Sequence, residues 1–171
     1  MSFHPIKLAA HNPGPMTGPG NNTYLLVGPD GEAALIDAGV GEPRHLAAID
    51  RHLDESGARL ARVLVTHGHA DHASGAPALA AAHSGASFHK YPWPGEDARY
   101  SVKWSPLAEG DSLLAGGESL VALHTAGHSP DHLVFWHERS RTAFTGDLVI
   151  PGGSVMIGTA AGLNDAAAQP S

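Results

Sequence analysis

The chain has no cysteine, which excludes disulfides and thiolate metal ligands and leaves His, Asp and Glu as donors for any ion. Positive charge is also scarce. Ten Lys and Arg stand against seventeen Asp and Glu, a formal net charge of −7, so there is no global basic field to gather nucleic acid by counterion release. No run approaches the roughly 18 apolar residues of a membrane span, and Met1 to Ala10 lack the apolar core of a secretory signal. A soluble cytoplasmic protein with no membrane partner is expected. The 171 residues suit one domain, 1–171, large enough to bury about 70% of its unfolded surface.

The chemistry concentrates in Val63-Leu64-Val65-Thr66-His67-Gly68-His69-Ala70-Asp71-His72. An apolar, β-branched run feeds into four candidate ligands packed within six residues. Burying three imidazoles and a carboxylate without partners would be costly, so packing alone does not explain the cluster, whereas metal binding does. If the segment past Thr66 stays extended, His67 and His69 face one ion while Asp71 and His72 diverge toward another. The spacing is not that of a helical His-Glu-x-x-His metalloprotease.

Residues His11 to Asn22 are too rich in Pro and Gly for a helix or a central strand and read as a loop able to wall a cleft. Thr23–Val27 and Ala33–Asp37 flank Gly28-Pro29-Asp30-Gly31 as a hairpin. Asp37, at a strand's end, is either a turn residue or a carboxylate that orients a ligand His. From Pro43, Leu46, Ile49 and Leu53 recur at helical spacing up to a stop at Gly57. His45 and His52 are read as solvated positions on that helix. A second, Ala-rich helix spans 73–83, and the short strand 86–89 completes a strand-helix-strand unit with parallel neighbours.

Residues 90–105 interleave Tyr91, Trp93, Tyr100 and Trp104 with Lys90, Arg99 and Lys103. They read as a loop capping the core or as a platform for stacking bases. The strand 119–125 then delivers Gly127-His128, a repeat of the strand-then-ligand logic. His132 is a structural strand-start residue, a group behind the ligands or one facing substrate. A second hairpin, 133–137 with 141–147, ends in Gly146-Asp147, where one carboxylate has two oxygens to share between ions. Residues 148–157 are apolar and Gly-rich, and 158–171 read as a flexible tail.

These elements together resemble the metallo-β-lactamase superfamily. Its His-x-His-x-Asp-His signature stands as His67, His69, Asp71 and His72, and its later elements as Gly127-His128 and Gly146-Asp147, over residues 12–157. Asn12-Pro13-Gly14-Pro15-Met16-Thr17 followed by Asn22-Thr23-Tyr24-Leu25 is most similar to the lactamase-like-protein-2 branch, which includes an endoribonuclease. The resemblance implies an α/β (α+β) fold, a four-layer αββα sandwich of two mixed sheets. It places one ion on His67, His69 and His128, a second on Asp71 and His72, and Asp147 between them. Asp71 and His72 also carry the catalytic assignment. Zinc, as one or two ions, is the implied cofactor, with manganese or iron compatible with the same donors.

The chain departs from that pattern in one respect. The family carries a further His after the Gly-Asp element, and no His follows His137 here. Three readings are open: a C-terminally truncated member whose second half is incomplete, a final ligand supplied by a second chain in a homodimer, or a protein working with one metal. The leading expectation is a zinc-dependent hydrolase acting on a phosphodiester, thioester or related ester of a small molecule or nucleic acid, ahead of β-lactams. The alternatives are a metal-binding remnant without turnover, dimerising through an exposed sheet edge, and an RNA-binding module using residues 91–104.

Overall fold

The structure is a computed structural model describing residues 3–149. The stretch from 150 onward, including the tail assigned to 158–171, lies outside the described residues. Six strands form the first sheet in the order of the chain: β1 (Ile6–Ala9), β2 (Asn22–Val27), β3 (Glu32–Ile36), β4 (Arg59–Leu64), β5 (Ser87–Lys90) and β6 (Trp104–Pro106). The first three pair antiparallel, and β3 to β6 pair parallel, so this sheet is mixed. The second sheet has the order β10 (Thr142–Phe144), β9 (Leu133–His137), β8 (Glu118–His124), β7 (Ser112–Ala115). Its described strands pair antiparallel throughout: Gly116-Gly117 and residues 138–141 make short turns, and the longer connection 125–132 between β8 and β9 carries His128 and His132.

Period-two alternation sorts side chains to the two faces of the first sheet. Leu25, Leu35 and Val63 point into a core shared with the helices, while Leu26, Ala34, Ile36 and Leu64 point into a core shared with the second sheet. Strands β3 and β4 are buried on both faces, which explains their near-continuous apolar sequence. Leu120, Ala122, Leu133, Phe135 and Phe144 close the inter-sheet core. The buried apolar side chains of the helices join the first core, so the described residues build a helix layer and two sheet layers.

Helix α1 (Pro43–Ser56) begins where Glu42 accepts the backbone N–H groups of Arg44 and His45, with Pro43 in the first turn. It ends at Gly57, whose φ of 63° and whose bonds back to Asp54 and Leu53 form a left-handed stop. His45 corrects the expectation of a solvated residue. It is fully buried, its Nε2 lying 2.7 Å from Thr23 Oγ1 under β2, whereas His52 is partly exposed. The expected helix over 73–83 is broken into α2 (Ala70–Ala73) and α3 (Ala76–Ala82). Gly75, between them, packs against the exit of β3: its N–H donates to Gly39 O at 2.9 Å, and an added Cβ would collide with Ala38 O. A further turn, α4 (Pro94–Asp97), and β6 arise within the aromatic segment.

The two sheets meet through a main-chain bond. Leu133 N donates to Thr66 O at 2.7 Å, tying the start of β9 to the exit of β4. All of the candidate ligands lie around that junction.

Candidate metal centre

The site residues lie in the connections that leave or enter the strands at one end of the sheets. Asp37 follows β3, His67 and His69 follow β4, His128 and His132 lie between β8 and β9, and Asp147 lies in a single 3-10 turn (Gly146–Leu148) after β10. The segment after Thr66 is extended only as far as His69. Asp71 and His72 sit on α2, whose first turn sends them toward a different point from His69.

His67 is the hub. Its ring centroid lies 4.6 Å from His69, 4.2 Å from His72, 4.9 Å from His128 and 5.0 Å from His132. Two donor groups form around it, His67 with His69 and His128, and His67 with His72 and Asp147, each with its donor atoms within 4.8 Å of one another. Asp147 reaches both: Oδ1 is 3.0 Å from His72 Nε2, and Oδ2 is 3.7 Å from His128 Nε2. His69 Nδ1 lies 3.0 Å from His128 Nε2, and Asp71 Oδ2 lies 3.6 Å from His72 Nε2.

The imidazoles are held from behind. His67 Nδ1 is 3.1 Å from Thr66 Oγ1, and His72 Nδ1 is 2.8 Å from Asp37 Oδ2. In each case the other ring nitrogen is left to face the centre, the arrangement that fixes a ligand's tautomer. Among the described residues, Nε2 of His67 is buried with no hydrogen-bond partner, as is Nε2 of His132, whose Nδ1 is 2.9 Å from Thr125 Oγ1. Unpartnered buried nitrogens are costly, and a cation among them removes that cost, so the residues present fit a metal ion.

Protonation follows the same geometry. Burial, reinforced by the surrounding histidines, holds His67 well below the usual imidazole range. Burial and His128 lower His69, and burial pushes His132 down to about 4. These rings are neutral near pH 7 and keep their lone pairs. Burial opposes the cationic form of His72 too, but Asp37 and Asp147 outweigh it and raise this group well above its ordinary value. Burial would raise Asp147, and the bond to His72 reverses that and lowers it.

A cleft of about 700 Å³ opens over His72, Asp37 and Asp147. The Pro/Gly loop expected to wall it does so with Met16, Thr17, Pro19 and Asn21, opposite Tyr24, Phe144 and Val149. Asn21 is not singled out by sequence, yet its Nδ2 donates to Asp71 Oδ2 at 2.8 Å and lies 2.9 Å from His72 Nε2. Its only sequence signal is its place at the end of a loop facing the ligands. Lys90, which the sequence groups with the basic residues of 90–105, is buried. Of the rings there, Tyr91 stacks on His124 at 4.0 Å, and Tyr100 and Trp104 pack in the first core.

Residues 16–169 match the Metallo-beta-lactamase superfamily. The chain belongs to that superfamily. It is 35% identical over 146 residues to Thioesterase pkgB of Emericella nidulans, covering 85% of this chain and 40% of that protein. It is 37% identical over 136 residues to the Atrochrysone carboxyl ACP thioesterase of Aspergillus fumigatus, covering 79% and 31%. The chain thus spans less than half the length of these curated relatives. Among crystal structures, a metallo-beta-lactamase family protein of Thermus thermophilus, TTHA1429, superposes with a TM-score of 0.71 at 23% identity, over 96% of this chain and 66% of that one. TTHA1623 in a di-iron-bound form gives 0.65 at 29% identity, over 89% and 75%. Among the described residues, no helix is long and apolar enough to cross a membrane.

Proposed function

We propose that this chain is a metal-dependent hydrolase of thioesters. The observation that carries the reading is the pair of donor groups sharing His67, whose buried Nε2 has no hydrogen-bond partner among the described residues. The thioester preference draws on the relatives named thioesterases. In this reading His67, His69 and His128 would hold one ion and His72 and Asp147 the second, with Asp71, outside both donor groups but 3.6 Å from His72 Nε2 through its Oδ2, as a further donor to it. Zinc is the ion assigned, and iron and manganese accept the same nitrogen and oxygen donors. When bound, the ions supply Lewis acidity toward the scissile carbonyl and a water acidic enough to attack near neutral pH.

The chain's residues do the rest. Asp37 and Thr66 fix the rings of His72 and His67 from behind. Asn21 holds Asp71 from the cleft side, its Nδ2 donating to Asp71 Oδ2 at 2.8 Å. Asp147 faces both donor groups across the floor of the cleft, its Oδ1 3.0 Å from His72 Nε2 and its Oδ2 3.7 Å from His128 Nε2. Met16, Tyr24, Phe144 and Val149 offer the apolar wall for an acyl group.

The test is elemental analysis of purified protein together with hydrolysis of an acyl-N-acetylcysteamine thioester and of bis(p-nitrophenyl) phosphate. Two equivalents of metal and chelator-sensitive cleavage of the thioester ahead of the phosphodiester are expected. Protein that binds metal yet cleaves neither compound is a remnant without turnover, and the reading fails.

A further inference from the structure

Gly68, between His67 and His69, is held by side chains on both sides. Its N–H donates to Asp131 Oδ2 at 2.7 Å, and its C=O accepts the Tyr100 hydroxyl at 3.0 Å. It is also closely approached, since an added Cβ would stand 3.2 Å from Asp131 Oδ2 and 3.4 Å from the Trp93 ring. Asp131 is fully buried and lies on the same short connection as His128. Its bond to Gly68 therefore joins the loop that bears His128 to the loop that bears His67 and His69.

The carboxylate is balanced by Lys90. The ammonium, itself buried, lies 2.9 Å from Asp131 Oδ2, donates to Tyr91 O at 2.7 Å and pairs with Asp97. Burying an ion pair contributes little net stability and costs dearly if one partner is lost. Here Oδ1 of Asp131 is buried without a hydrogen-bond partner among the described residues, a further cost. An apolar pair would fill that space with less penalty. What such a pair lacks is an acceptor for Gly68 N–H.

We propose that Lys90, Asp131 and Tyr100 are positioning residues that clamp the Gly68 peptide and so set His67 and His69 against His128. The inference rests on the metal-site reading above. The clamp acts on three candidate ligands through one backbone unit, so its loss is expected to reach metal affinity even where the fold survives.

The experiment compares wild type, the double variants K90M/D131L and K90M/D131N, and Y100F. Cobalt(II) affinity is measured by chelator competition, the visible d–d spectrum is recorded, and melting temperature is followed. K90M/D131L removes the charges and the acceptor together. It is expected to melt below wild type, because Asp97 and Tyr91 O also lose Lys90, a loss that K90M/D131N shares, and to bind cobalt about 10- to 100-fold more weakly, the usual cost of losing a group behind the ligands, with a shifted spectrum. K90M/D131N restores an acceptor for Gly68 N–H and is expected to recover most of the affinity. Y100F, a smaller change to the fold, carries the test if the double variants fail to fold, and weaker cobalt binding is again expected. Wild-type affinity and spectrum in K90M/D131L, or in Y100F if that variant decides, overturn the clamp while leaving the metal reading intact. Failure of the wild-type protein to bind cobalt overturns both.

Discussion

Asp37 Oδ2 lies 2.8 Å from Nδ1 of His72, while Oδ1 of the same carboxylate takes the backbone N–H of Thr66 at 2.7 Å and its hydroxyl at 2.9 Å. One side chain thus sets both the loop after β4 and the imidazole on α2. Its φ of 63° is a conformation that Asp and Asn adopt more readily than most residues, so Asp37→Asn keeps the backbone while removing the charge. An amide has one oxygen and cannot serve both partners. Calorimetric titration of the apoprotein is expected to show the second ion bound about 10- to 100-fold more weakly. Two equivalents bound at wild-type affinity would show that Asp37 does not orient His72.

Gly146, directly before Asp147, has φ 49°, and an added Cβ would stand 2.7 Å from Thr66 Oγ1 and 2.9 Å from His132 Nε2. Gly146→Ala is expected to destabilise the fold by about 1–3 kcal/mol, the usual cost of forcing atoms into a filled space. It also displaces Asp147 and lowers hydrolysis. Urea denaturation reads the first effect and turnover the second, and an alanine variant unchanged in both refutes the tight contact.

Acid stability tests the buried His45. Burial, helped by repulsion from His11, lowers this imidazole to about 4 against an ordinary 6.5. The unfolded chain therefore binds the extra proton first, and stability falls as pH drops from 6.5 toward 4, with no further loss from this residue below that window. His45→Gln is expected to flatten that part of the stability curve in chelator-treated protein. A variant whose curve runs parallel to wild type over pH 4 to 6.5 contradicts the assignment.

Metal removal has a thermodynamic signature of its own. An ion that binds only the folded chain stabilises it by about 2.7 kcal/mol when present at roughly a hundred times its dissociation constant. EDTA is expected to lower the melting temperature and zinc to restore it, with the increment growing as free zinc is raised. A melting temperature indifferent to both would count against a resident ion.

Much of this architecture is legible in the sequence because local rules agree with the fold. The hairpin about Gly28–Gly31, helix α1 with its stop at Gly57, and the β4–β5 parallel pair follow from turn chemistry and periodicity. The convergence of His67, His69, Asp71, His72, His128 and Asp147 is expected from strand ends and family resemblance; the structure gathers His67, His69, His72, His128 and Asp147 into two donor groups and leaves Asp71 outside both, beside His72. His45 escapes such reasoning because helical spacing gives a residue's direction but not what packs above it; β2 closes over that face with Thr23. Lys90 and Asp131 are illegible for a related reason. A lysine among aromatics resembles surface, and its carboxylate partners lie 7 and 41 positions away in the chain.

The bond from Leu133 N to Thr66 O gives the protein a hinge pin rather than a free seam between its halves. Sliding one sheet over the other would have to break it, and would drag His67 out of alignment with His132 at the same moment. Packing defects deep in the sandwich, at Phe135 or Leu120, should therefore register at the mouth of the cleft, far from where they are introduced.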